Sequence, residues 1–141
     1  MDNARTEERQ EGSSIIEFIF LVVLLLVPLV YLVVGAASIQ AASYAAVGAG
    51  DHAAKVFVTA EEEGQAQARA SDAVRRAAAN MEISADRTNF SYSCNGVCLS
   101  PGSTVTIQVS IEINLPLLPE GWGWRTGNVS SSATQRVDLY G

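Results

Sequence analysis

Few side chains in this sequence could do chemistry, and their types and spacing narrow what that chemistry is. The single histidine, His52, has no serine or cysteine partner placed by any motif, and triad catalysis needs a base oriented toward a nucleophile. Cys94 and Cys98 stand four apart; zinc in structural sites takes four ligands, and dithiol redox chemistry favours a C-x-x-C pair, so a disulfide across Asn95-Gly96-Val97 is expected, with free thiols as the alternative. Paired carboxylates occur only in charge-rich helical stretches such as Glu61-Glu62-Glu63. Trp122 and Trp124, in the loop Glu120-Gly121-Trp122-Gly123-Trp124-Arg125, suit an interaction site, a membrane-interface contact or rings folded over a thin sheet. No catalytic residue, metal site, cofactor or small-molecule substrate is expected, and the chain does not read as an enzyme.

The remaining chemically unusual residue is Glu17. It opens a run from Phe18 to Ala37 that carries no charge, long enough as a helix rising about 1.5 Å per residue to cross the roughly 30 Å hydrocarbon core of a bilayer. A carboxylate at membrane depth costs roughly 2.5 to 3.5 kcal/mol on insertion scales and normally has a partner. Glu17 therefore either stays hydrated at the interface or is paired in an assembly.

A cleaved secretory signal is the rival reading of such an N-terminus, but its apolar core spans only ~7–15 residues before a small-x-small site. Here Pro28 lies inside the run, and the small residues Gly35, Ala36 and Ala37 follow only after a full membrane length. Proline is tolerated in membrane helices. An anchor that stays is expected. Arg5 and Arg9 precede the span and the next basic residue is Lys55, so the N-terminus should be cytoplasmic and the C-terminal part outside a cell membrane.

Along the chain, residues 1–12 read as a cytoplasmic leader, 13–39 as a transmembrane helix, 40–81 as a helical stem and 82–141 as a small extracytoplasmic antiparallel β domain. The stem is rich in small residues: Ala37, Ala41, Ala45 and Ala49 form one row at helical spacing, and Ser38, Ala42, Ala46 and Gly50 the next. Such rows let helices approach closely. Ala66, Ala70, Val74, Ala77, Ala78 and Met81 then recur at steps of three and four, as on an amphipathic helix. One rod or two helices hinged near Gly64 both fit.

After Met81 the period changes. Thr104 to Ile113 alternates with every apolar residue at an odd position, the mark of a strand with one buried face. Asn89–Cys94 and Val129–Leu139 are weaker candidates, and Asn95-Gly96 suits a turn that needs positive φ. The expected fold class is α+β, a long N-terminal transmembrane and amphipathic helix followed by an antiparallel meander of about three strands. A net charge of −6 without a basic patch argues against nucleic acid as a partner.

Gly12 followed by Ser13-Ser14-Ile15-Ile16-Glu17-Phe18 resembles the processing and assembly motif of type IV pilin-like proteins, in which a peptidase cuts after the glycine and the acid becomes the fifth residue of the mature chain. Together with Leu115-Pro116-Leu117-Leu118 and the closing Ser130–Arg136 stretch, the chain looks most like the TadE-like pseudopilins of tight-adherence (Flp, type IVb) pilus systems. The resemblance implies a pilin-like fold, processing at Gly12 and Ser13 by a prepilin peptidase, and assembly through Glu17 and Phe18. It further implies that Glu17 pairs with the freed amino group of Ser13, on itself or on a neighbour. The partners implied are the membrane, other pilin or pseudopilin subunits and the assembly platform, with a place in a surface pilus. The alternative is a signal-anchored module that binds another protein through Trp122 and Trp124.

Overall fold

The computed structural model describes residues 4–113 and 127–139, with side chains from residue 13 onward. The chain divides into two compact units, Met1–Ala36 and Ala37–Gly141. Helix α1 (Ala4–Val58) belongs to both, α2 (Glu63–Ala79) follows, and a 3-10 turn at Ala85–Arg87 leads into strands β1 (Thr88–Asn95), β2 (Thr104–Glu112) and β3 (Asn128–Arg136). The layout is the expected α+β one. Leu115 to Leu118 and the Trp122 and Trp124 loop lie outside the described residues.

In the first unit α1 presents large apolar side chains on all sides. Phe18, Leu25 and Leu32 are 66%, 71% and 68% exposed, and none of its large apolar residues is buried. A helix apolar all round suits lipid rather than a protein core. Its apolar part is long enough, by length and composition, to be a candidate membrane span, with Pro28 inside it.

In the second unit the helices and strands form one core. The small-residue rows turn inward: Ala42, Ala45, Ala46, Ala49, Ala53 and Ala54 are buried with Phe57, while Ala37 and Ala41 stay exposed. The expected close-packing face is therefore used largely within the chain's own core, which α2 and the sheet share. Gly50 marks how near the sheet comes, since a Cβ there would lie 3.6 Å from Ala133 Cβ and 3.9 Å from Val109 Cγ2. Val105, Ile107, Val109 and Ile111 of β2 are fully buried in the same core.

The stem is two helices. β-branched Val56, Val58 and Thr59 weaken the end of α1, and the Thr59 hydroxyl donates to the Val56 carbonyl at 3.0 Å, competing with helical bonds. The acidic triplet then sits where α2 begins, with Glu63 in its first turn, a favourable place for negative charge near the exposed N–H groups. Gly64 falls inside that first turn, in open space. α2 buries Ala66, Ala70, Ala73, Val74 and Ala78. Met81 lies past the helix and is 48% exposed.

The α2 C-terminus closes as a Schellman motif. Ile83 N–H donates to the Ala78 carbonyl and Glu82 N–H to the Ala79 carbonyl, each at 3.0 Å, with Glu82 at φ 58°. Glutamate thus occupies a left-handed position that glycine usually fills.

The sheet has strand order β1-β2-β3, antiparallel throughout, with rows such as Ser91–Gln108–Ser132 and Ser93–Thr106–Thr134 across it. One face carries the core and the other is Ser, Thr, Asn and Gln with Glu112 and Arg136 at its ends. The β1–β2 connection, residues 96–103, is longer than a tight hairpin and takes positive φ at Gly96, Leu99 and Gly102.

Candidate functional site

The residues singled out in the sequence fall in separate places. Ser13, Glu17 and Phe18 lie on α1, exposed in the first unit, and Gly12 is within the same helix. Ser13 and Glu17 are one turn apart, so both lie on one helix face. No ion pair or hydrogen bond of the Glu17 side chain is seen among the described residues, so its carboxylate is open to a partner from outside the chain. Chemically, this segment offers a glycine-bounded peptide bond, an apolar helix surface and one carboxylate.

Cys94 and Cys98 form a disulfide, with Cα atoms 5.4 Å apart, as expected across Asn95-Gly96-Val97. The bridge ties the end of β1 to the following loop, where Gly96 at φ 96° supplies the backbone conformation that the Asn-Gly pair suits. It encloses a short loop, so its effect is local. His52 is exposed on α1. Among the described residues no group of three or more His, Cys, Asp or Glu could hold a metal ion.

One polar contact was not visible in the sequence. Tyr92 donates its hydroxyl hydrogen bond to Glu63 Oε1 at 3.0 Å, joining β1 to the first turn of α2, while its ring lies 4.9 Å from that of Phe57. The bond to Glu63, then desolvation and the nearby negative charge, raise the Tyr92 phenol above its ordinary value. The partners are 29 residues apart, and only the placement of a tyrosine on the inward face of β1 hinted that its hydroxyl would need one.

A shallow hollow opens at the other end of the sheet. Ala42, Met81, Ile83, Ile111 and Ile113 line it with Arg87, Glu82 and Glu112 at its sides. It has a volume of about 300 Å³ and mixes apolar walls with opposite charges, without convergent donors for a defined ligand. Compared with known proteins, the chain matches no family model, no curated protein and no solved structure.

Proposed function

We propose that this chain is a membrane-anchored structural subunit, a minor pilin or pseudopilin of a bacterial tight-adherence pilus or related secretion machine, that works by assembly and not by catalysis. The observation that carries this reading is the spacing Gly12 to Glu17 at the head of a helix whose large apolar side chains from Ile15 to Val34 are exposed all round. An anchor alone needs no acid at that place, because a carboxylate raises the cost of insertion. A subunit that pairs Glu17 with a freed Ser13 amino group, its own or a neighbour's, does need it. A further support is economy of construction: the same helix that carries this segment supplies the alanine face of the exported core. The N-terminus is cytoplasmic, the disulfide-bearing unit lies outside, and a prepilin peptidase cuts after Gly12.

The test is the mass of the protein extracted from membranes of cells that contain such a peptidase. A mature N-terminus at Ser13, lost in Gly12→Val, is the expected result; an intact leader overturns processing. Glu17→Gln should then accumulate in the membrane at normal level while co-purification with other pilin subunits falls sharply. Where a buried pair loses one member the loss is typically about 3–5 kcal/mol. Unchanged association at wild-type level would instead favour an anchored binding module.

A further inference from the structure

Among the described residues nothing pairs with the outer edges of β1 and β3. The phase of the β2–β3 ladder is fixed by Ile113 N–H donating to the Gly127 carbonyl at 2.8 Å and Val137 N–H to the Ser103 carbonyl at 2.9 Å. In an antiparallel ladder hydrogen-bonded pairs alternate with non-bonded ones. Odd-numbered residues of β3 therefore bond to β2, and Ser130, Ser132 and Thr134 aim their N–H and C=O groups away from the sheet, where no described backbone group meets them. By the same phase Phe90 and Tyr92 of β1 aim theirs outward on the opposite edge. Neither strand holds a proline, a lysine or a bulge, the usual guards of an open edge, and the only charge on either is Arg136.

The two edges are complementary. On β3 the edge-facing residues carry their side chains on the polar face; on β1 the edge-facing residues carry theirs on the core face. That is what parallel pairing requires: Ser132 would lie level with Ser91 of the next copy, bonded to the backbone of that copy's Phe90 and Tyr92. An antiparallel pairing of two β3 strands also satisfies the ladder but relates the copies by a two-fold normal to the sheet. Within the second unit α1 runs along the sheet, with Ala42 beside Ile111 and Ile113, and Gly50 on Val109 and Ala133. A two-fold would point the Ala42 ends in opposite directions. Side-by-side addition keeps the Ala42 ends of successive copies together and leaves an open edge at each end for the next copy, whereas the two-fold pairing stops at two copies.

The helix layer is also unfinished on the β3 side. Gly50 faces β2 and β3; at 100° per residue Val47 and Tyr44 follow it around the helix, away from buried Ala45 and Ala49, and are 57% and 73% exposed. We infer that copies of this chain add to one another through their sheets, β3 of one beside β1 of the next in parallel, extending the sheet and covering the Val47 and Tyr44 flank. Such a head-to-tail contact leaves an edge free at each end, so it adds further copies in a row or a ring and does not stop at a dimer. The inference rests on the membrane-anchored part of the proposed function and not on processing.

The experiment is oxidative cross-linking of the full chain in membranes with Ser91→Cys and Ser132→Cys combined. Within one copy these positions are separated by Gln108 across two strand spacings, about 9.6 Å, beyond disulfide reach, so any bond joins two copies. The expected result is a ladder of dimers, trimers and higher multiples from the double variant, absent from either single variant. Adding Ser130→Pro, which removes an edge-facing N–H and no bond to β2, should abolish the ladder while the Cys94–Cys98 bond and the thermal transition persist. Should that proline unfold the unit, Ser130→Lys serves the same purpose through charge. A monomer only, dimers without higher multiples, equal cross-linking by the single variants, bonding to a protein of different mass, or a ladder that survives an edge substitution in a folded unit would each overturn the inference. An intact leader with a persistent ladder refutes processing alone; Ser13 maturation without a ladder refutes this contact alone.

Discussion

Replacing Gly50 by alanine should stabilise the second unit, against the intuition that a buried glycine in a small-residue row is there because nothing larger fits. An added Cβ would sit 3.6 Å from Ala133 Cβ and 3.9 Å from Val109 Cγ2, ordinary contact distances that need no shift. Alanine in a helix interior is favoured over glycine by about 1 kcal/mol. A buried methyl adds up to about 0.8 kcal/mol by transfer. The expected gain is thus about 1 to 2 kcal/mol, which at about 4 °C per kcal/mol or somewhat more for a unit of this size raises the transition by about 4 °C or more. Gly48→Ala is the calibration, because a Cβ there meets nothing within 4 Å and should return the helix contribution alone. Gly50→Leu should reverse the sign, since overpacking costs roughly 1–3 kcal/mol. Thermal unfolding of the full chain in detergent, followed by the near-ultraviolet signal of Tyr92 beside Phe57, reads all three. If Gly50→Ala lowers the transition while Gly48→Ala raises it, the helix sits closer to β2 and β3 than these distances, and the reasoning fails.

Glu82→Gly should also stabilise, by about 1 kcal/mol, because it relieves a left-handed residue at the Schellman closure of α2; denaturant midpoints measure it, and a loss would mean that Glu82 makes a contact worth more than the strain. Tyr92 should titrate above free tyrosine, and Glu63→Ala should bring its ionisation down; phenolate absorbance of the wild type against Tyr92→Phe isolates it. Because the folded-state pKa is raised, the contribution of this bond is fully present below the unfolded pKa near 10 and is lost as pH rises through the folded value. Replacing Cys94 and Cys98 by alanine should cost less than the ~3 kcal/mol that chain entropy assigns to a 15-residue loop and leave the sheet formed, with hydrogen exchange rising mainly around 95–103.

The sequence revealed most where one physical constraint acts alone. β2 is buried on one face along its whole length, so its alternation from Thr104 to Ile113 shows directly as polar and apolar residues. The face of α2 was equally legible through Ala66, Ala70, Val74 and Ala78. The alanine rows of α1 were legible as a packing surface but not as to their partner, because alanine has no shape that distinguishes a neighbouring helix from a sheet. The break at Thr59 to Glu62 depended on a balance between β-branched residues, a hydroxyl bond and helix-end charge, each worth a fraction of a helical turn's stability. The Tyr92 bond to Glu63 and the left-handed Glu82 are set by tertiary geometry and leave no local mark. The proposed assembly residues, Gly12, Ser13, Glu17 and Phe18, are marked by spacing alone.

The distribution of burial explains why a unit of this kind would keep open edges. Within the sheet, full burial is confined to the middle strand: Val105, Ile107, Val109 and Ile111 are wholly covered, whereas the inward residues of β1 (Thr88, Phe90, Tyr92, Cys94) and of β3 (Val129, Ser131, Ala133, Gln135) are only half-buried. Alanine-faced helices can approach the sheet closely, and each covers little width. Area removed from water contributes about 25 cal/mol per Å², so within the sheet the apolar stabilisation is concentrated on β2, and truncating Ile107 or Ile111 would cost far more than truncating Val129 or Ala133 on β3. β1 and β3 are then free to be judged by what they present outward. On β3 that is a run of serine and threonine with an unpaired backbone, too polar to collapse on a partner by the hydrophobic effect and suited to one that adds a strand.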